Sequence, residues 1–345
     1  MGQTLVIAEK PSVAGDIARA LGGFKKDGDF WVSDAMIVGS AVGHLLEIKA
    51  PEEYDVKRGR WSFANLPVLP PHFDLQPIKK SIKKFEGLEK KIRSRSVTDI
   101  INACDAGREG ELIFRYIIQA TGTKKPIRRL WLQSMTKTSI QKAFTALRSD
   151  AEMKPLEAAA RSRSEADWLV GINGTRALTA FNSKDGGFFL TTVGRVQTPT
   201  LAIVVAREEE IAHFKPQNYW EVHATFGAQA GDYDSVWVDA DFKKTKGQSA
   251  ELKPERLWTA AEAQAIVAKC QGKLGIVTDH KRRATSAPPA LFDLTSLQRE
   301  ANGRFGFPAK MTLAILQRLY ERHKVLTYPR TDYRALPEDY PETMK

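Results

Sequence analysis

The chain opens on an unbroken apolar run. In "TLVIAEKPSVAGDIARAL" the residues Leu5 to Ala8 predict a buried strand, Glu9 to Pro11 a turn, and the spacing beyond them an amphipathic helix from about Ser12. Ser12, behind Pro11, is the expected N-cap. The same succession recurs in "VTDIINACDAGREGELIFRYIIQATG", with a strand ending near Cys104 and a helix starting near Glu109. Between them "AMIVGSAVGHLLEI" predicts one or two strands around Gly39 and Gly43. "PIKKSIKKFEGLEKKIRSR" predicts a helix whose lysines form either a solvated face or a DNA surface. "PIRRLWLQSMTKTSIQKAFTAL" adds a strand, a Thr-capped helix and a domain edge near Asp150. Strands alternating with helices predict an α/β domain with a mainly parallel sheet.

From "LEAAARSRSEADWLVGINGTRALTAF" onward the pattern is helical, with Trp168, Ile172 and Arg176 at i, i+4 and i+8. After "GRVQTPTLAIVVAREEEI" it turns to alternation of the β type in "YWEVHATFGA" and "DSVWVDADF". A polar loop, "KKTKGQSAELKPE", precedes a short helix and a strand, "LGIVTDH". From "KRRATSAPPALFDL" helical patterning returns and runs through "PAKMTLAILQRLYERHKV" to about Val325. The chain contains no internal repeats. Boundaries at 1–150, 151–215, 216–280 and 281–345 follow from these shifts.

Composition narrows the partners. The 345 residues suffice for two or three domains. The 52 Lys and Arg against 41 Asp and Glu leave a net charge of +11, which favours polyanions, nucleic acid first and anionic membrane second, or simply serves solubility. No apolar run is long enough to span a bilayer, and the first residues lead straight into a strand rather than a secretory signal. Two cysteines, Cys104 and Cys270, make neither a disulfide framework nor a Cys-rich zinc module, which fits a reducing cytosol.

Three places carry candidate chemistry. Glu9 and Lys10 sit at the C-terminal end of the first strand, the edge where open α/β sheets bind ligands. "DAGREGE" ends another strand, so Asp105 and Glu109 would meet Glu9 if the two strands are neighbours. Clustered carboxylates then call for a hard cation such as Mg²⁺; alternatively Glu9 merely leads into a helix and Asp105 forms a turn. Gly107 and Gly110 permit tight turns, but no P-loop occurs, so nothing points to ATP. The third place is "KVLTYPRTDY". Pro329 holds Tyr328 extended, and a period of two puts Tyr328 and Arg330 on one face, a nucleophile beside a phosphate clamp. Taken alone, such a stretch is more commonly a buried tyrosine capping a helix end.

"AEKPS", "GHL" (Gly43–Leu45), "DAGREGEL", "GRVQTPTL" (Gly194–Leu201) and "LQREANGRFGFPAKMTLAILQRLYE…LTYPRTDY" occur in this order. The set resembles type IA DNA topoisomerases over the whole chain, and "DAGREGEL" with "TYPRTD" looks most like the bacterial topoisomerase III branch. The resemblance implies a Toprim domain over 1–150, the first halves of a helical strand-binding domain and a β-rich arch, and the start of a tyrosine-bearing domain. It implies ATP-independent, Mg²⁺-dependent breakage, strand passage and rejoining of single-stranded DNA through a 5′-phosphotyrosine on Tyr328, relaxing negative supercoils or decatenating DNA. Glu9 would serve acid–base chemistry and the metal, Lys10 would supply charge or a proton, and Arg330 would orient the phosphate. Asp105 would hold Mg²⁺, with Glu109 a further candidate ligand. Many relatives have Asp where this chain has Gly107, which implies one ion rather than two. Expected DNA contacts are Gly194, Arg195, Val196, Gln197, Thr198 and Pro199, with His44, Trp61, Trp168, Arg176 and Arg330. The implied setting is the bacterial cytoplasm, on the nucleoid or a plasmid.

The chain ends 17 residues after Tyr328. By resemblance the remainder of the ring is expected in a C-terminal part of the same polypeptide or in a partner, with weak or absent relaxation by these residues alone. Two rival readings are a non-catalytic single-strand-binding fragment and a Toprim nuclease or primase-like protein. The second leaves "GRVQTPTL" and "TYPRTDY" without a role.

Overall fold

Strand β1 (Gln3–Ala8) explains the opening run, because it lies at the centre of the sheet and is covered on both faces. Leu5 and Ile7 enter the core on one side, together with Ile37, Leu88, Ile92, Ile100, Phe114 and Ile117. Val6 and Ala8 enter the other, with Val13, Ile17, Val38, Ile101, Leu130 and Ile140. A parallel strand buried on both faces is apolar without alternation.

The structure, a computed structural model, describes residues 2–54, 61–243, 251–323 and 325–340. After β1 come α1 (Pro11–Leu21), β2 (Lys25–Asp27), β3 (Phe30–Val32) and β4 (Met36–Ser40). β5 (Leu46–Ile48) pairs antiparallel with β6 (Leu75–Pro77), and α2 (Ile82–Arg93) leads to β7 (Val97–Ala103) and α3 (Arg108–Thr121). β8 (Ile127–Arg129), α4 (Lys137–Thr145) and β9 (Arg148–Ser149) precede the 33-residue α5 (Asp150–Asn182). Beyond them lie α6 (Gln197–Ala212), β10 (His223–Ala228), β11 (Gly231–Val236), α7 (Ala260–Cys270), α8 (Leu294–Phe305) and α9 (Ala309–Arg318).

The seven-stranded sheet has the order β2-β3-β4-β1-β7-β8-β9, parallel from β4 to β8 and antiparallel at both edges. Helices cover both faces, so the expected α/β fold with a mainly parallel sheet is the fold observed. Two compact units divide the chain: Met1–Thr200 with Pro289–Lys345, and Leu201–Pro288. In the second, β10 and β11 form an antiparallel pair with Phe226 stacked on Tyr233 at 5.5 Å, and Thr259 caps α7.

Several local expectations change. Helix α1 starts at Pro11, with Lys10 as its N-cap residue, because Pro is pre-shaped for the first helical position; Ser12 is already inside. Residues 274–280 form no strand: Leu274 and Ile276 are exposed, and although Gly275 lies against the Phe226 ring of β10, the segment pairs with no described strand. Helical structure resumes at Leu294 rather than at Lys281, after Pro288 and Pro289, with Asp293 and Ser296 forming a reciprocal cap. The polar loop expected over 243–255 falls largely outside the described residues. Among the described residues no helix is long and apolar enough to cross a membrane.

Candidate active site

β1 and β7 are parallel neighbours in register, with Ala8 beside Ala103. Their C-terminal ends therefore release Glu9 and Asp105 at the same level of the sheet edge. The Lys10 ammonium lies 3.9 Å from Glu9 Oε1 and 3.7 Å from Asp105 Oδ2. It also stands 4.8 Å from the centre of the Tyr328 ring, which packs edge-on against Tyr320 at 5.7 Å. Residues from both ends of the chain thus share one lysine.

Burial, then the neighbouring Asp105 carboxylate, pushes Glu9 from its ordinary 4.5 up to about 7, against the pull of Lys10. Burial likewise raises the Tyr328 phenol above its ordinary 10; Lys10 opposes, Asp105 and Glu9 add to the rise, and Arg330 opposes. The phenol is therefore protonated at neutral pH and needs further positive charge before it becomes a nucleophile. Tyr328 is half-buried, Pro329 buried and Arg330 exposed. Bends at 326–327 and 329–330 replace the straight extended segment expected there.

A cation fits this edge. Two oxygen donors on adjacent strand ends, one with its ionised form disfavoured by the other, are relieved by a hard divalent ion that keeps several waters. The candidate ligand Glu109 is exposed at the start of α3, where it meets His44 Nε2 at 3.2 Å and lies close enough to add to the rise on Glu9. Among the described residues no three acidic, His or Cys side chains gather into a closed site.

The acidic turn rests on a buried network that sequence reasoning missed. Arg129, 1% exposed, donates from Nη1 to the carbonyls of Asn102 (3.0 Å) and Cys104 (2.7 Å), and from Nη2 to the Asp105 carbonyl (2.7 Å). The fully buried Glu111 carboxylate accepts from Asn102 Nδ2 (3.0 Å) and Arg115 Nε (2.7 Å), with Arg129 Nε at 3.4 Å. Arg115 reaches on to Asp150 at 2.6 Å and Glu157 at 3.3 Å. The available signal was Glu111 and Arg115 at i and i+4 on α3, and an arginine on the apolar strand "PIRRLW". Gly110 completes the turn: a Cβ there would lie 2.2 Å from the Asp105 carbonyl oxygen. Gly107, by contrast, has extended backbone and open space around it.

The expected DNA contacts are dispersed. Trp168 is engaged in packing, edge-on to Tyr54 (6.3 Å) and Phe73 (5.8 Å), with Nε1 donating to the Lys49 carbonyl. Arg176 is buried, paired with Glu52 and set 5.3 Å from the Trp61 ring. Trp61 in turn packs at 5.7 Å against Phe188, beside a cavity of about 260 Å³ lined also by Thr179 and Lys184. Gly194 to Pro199 run into α6, where Thr198 Oγ1 accepts from Gly194 N, Gln197 packs on Gly194 and Val196 is exposed. Arg195 pairs with Asp167 at 2.7 Å.

The sheet and its edge are those of a Toprim domain, whose family model matches residues 4–135. The DNA topoisomerase model matches residues 151–345, and the chain belongs to that family, on the type IA, topoisomerase III-like side. It is 42% identical over 347 residues to DNA topoisomerase 3 of Bacillus subtilis strain 168 and 42% identical over 346 residues to that of Bacillus cereus strain ATCC 14579. In both cases all of this chain aligns with 45% of the relative, so it spans about half their length. Its fold is similar to full-length topoisomerase I from Thermotoga maritima, with a TM-score of 0.59 at 23% identity, covering 98% of this chain and 51% of that one.

Proposed function

We propose that this chain carries the DNA-cleaving centre of a type IA topoisomerase, with Tyr328 as nucleophile. The observation that supports this best is Lys10, which contacts Glu9, Asp105 and the Tyr328 ring at once. In the reaction the Tyr328 oxygen attacks a backbone phosphorus of single-stranded DNA. A phosphorus–oxygen bond forms to Tyr328 and the bond to the 3′-oxygen breaks. The phenolic proton leaves through Glu9, which near pH 7 can both accept and donate, and the departing 3′-oxygen takes up a proton from Lys10 or Glu9. The product is a 5′-phosphotyrosine and a free 3′-OH. One phosphodiester replaces another, so no nucleotide needs to be hydrolysed.

Glu9 and Asp105 would hold one Mg²⁺, which when bound supplies positive charge against the phosphate and the developing phenolate. Arg330, exposed beside Tyr328, would orient the phosphate. The single strand would run by Gly194–Pro199, with Arg195 exchanging Asp167 for a phosphate, and past His44 and the Trp61–Arg176 pair. In this reading residues 1–150 form the metal-bearing Toprim part. Residues 151–215, 216–280 and 281–345 contribute to the strand-binding, arch and tyrosine-bearing domains. The full-length enzyme would act in the bacterial cytoplasm on negatively supercoiled or catenated DNA.

Incubation with a labelled oligonucleotide, Mg²⁺ and a denaturing quench tests the proposal. A covalent adduct lost in Tyr328→Phe is expected. Salt-sensitive binding without any adduct would instead make the chain a single-strand-binding module.

A further inference from the structure

Eleven residues beyond Tyr328 the chain reaches the start of α4. Asp339 Oδ2 accepts hydrogen bonds from three hydroxyls: Ser134 Oγ at 2.7 Å, Thr136 Oγ1 at 2.6 Å and Ser139 Oγ at 2.8 Å. Thr136 is the N-cap of α4 and accepts from Ser139 N, so the three hydroxyls belong to one capped helix start. These hydrogen bonds hold the Asp339 carboxylate below its usual range. The near side of the segment is equally tied down: Thr331 O accepts from Leu294 N, and Arg334 donates to the Leu291 carbonyl at 2.9 Å. The piece bearing Tyr328 is therefore tied to α8; it meets the sheet edge at Lys10, carries Tyr320 close enough to Asp105 and Asp16 to feel their charge, and reaches the start of α4 through Asp339.

We propose that Asp339 and the Ser134–Thr136–Ser139 hydroxyls form a latch, which holds Tyr328 over the sheet edge and opens when a DNA strand passes. The proposal rests on the cleavage reading above. Once Tyr328 carries the 5′-phosphate, a second strand passes only if Tyr328 moves away from the residues at the sheet edge. Lys10 belongs to the chemistry, whereas the Asp339 contact touches no reacting group. It is made of short, charge-assisted bonds to hydroxyls that water can replace, which suits a contact that breaks and reforms. Asp339 is thus a positioning residue.

Two measurements on the whole chain test it. In a Cys270→Ser background, nitroxides at Lys142→Cys on α4 and Tyr333→Cys report the separation of the two bodies without DNA. The latch predicts one short distance with Asp339, and an added longer population in Asp339→Asn and in the Ser134→Ala/Thr136→Ala/Ser139→Ala variant. Combining both changes should add nothing further. Identical distributions in all variants would overturn the latch, whether or not any chain cleaves DNA. With a labelled oligonucleotide, Asp339→Asn should raise the equilibrium ratio of adduct to rejoined strand about tenfold, because the open state favours the cleaved form. A ratio unchanged or lowered in a chain whose labels show opening would overturn the link to strand passage. Absence of adduct from the unaltered chain would instead remove the cleavage reading and leave the distance result to judge the latch.

Discussion

Glu9 is a carboxylate the fold holds at a cost, and Glu9→Gln should expose that cost. Without metal, burial and Asp105 raise Glu9 from 4.5 to about 7. The folded protein therefore keeps a proton that the unfolded chain releases between these values. The stability Glu9 contributes is fully present below about pH 4.5 and is lost as pH rises through about 7. At 1.36 kcal/mol per pH unit the difference comes to about 3 kcal/mol at pH 8. Gln keeps the shape and cannot ionise. In EDTA, Glu9→Gln should be the more stable protein at pH 8 by about 2–3 kcal/mol, roughly 3–4 °C in the melting temperature. Near pH 4.5 the two should converge. Thermal unfolding at a series of pH values measures the gap, and excess Mg²⁺ should narrow it at pH 8 by compensating the charge. A gap independent of pH, or a wild type more stable than Glu9→Gln at pH 8, would refute the electrostatic account of this edge.

Arg129→Ala should destabilise the protein by about 3–5 kcal/mol in denaturant unfolding, since it empties the space of a fully buried side chain, takes the guanidinium donors from the carbonyls of Cys104 and Asp105, and leaves Arg115 as the one guanidinium on Glu111 among the described residues. Gly110→Ala should force the Asp105 turn apart and lower the yield of covalent adduct in the quench assay at least tenfold. Gly107→Asp meets open space and ordinary backbone, so it should fold with a melting temperature within a few degrees of wild type. It should also lower the Mg²⁺ concentration needed for half-maximal adduct several-fold by adding a third carboxylate.

The parts of this account legible in the sequence are those governed by local period. The two strand–turn–helix units announced themselves through β1 and β7, and their shared register turned two distant turns into one site. Thr136 as a cap was equally readable. The meeting of Lys10 with Tyr328 was legible through the family motifs alone, because nothing local in either stretch says which sheet edge the far end of the chain will cover. Arg129 and Glu111 were hidden for a different reason: a charge on a strand or helix normally faces water, and only packing shows that these two face each other. Residues 274–280 failed in the opposite sense. They carry a β-type pattern, but a strand is a property of a pair, and they pair with no described strand. The family motifs pointed to Glu9, Lys10, Asp105 and Tyr328. The structure adds that burial and neighbouring charge leave the phenol and Glu9 protonated more readily than in water, so a cation bound there would favour their ionised forms.

The central claim is that Tyr328 takes the 5′ end of a broken strand. Oligonucleotides carrying a label at either the 3′ or the 5′ end, trapped with Mg²⁺ and digested to peptides, test it most directly. The account predicts that the 3′-end label stays on the protein, on the peptide containing Tyr328, while the 5′-end label is released on a fragment ending in 3′-OH. Retention of the 5′-end label, attachment to a peptide without Tyr328, or no labelled protein at all would contradict it.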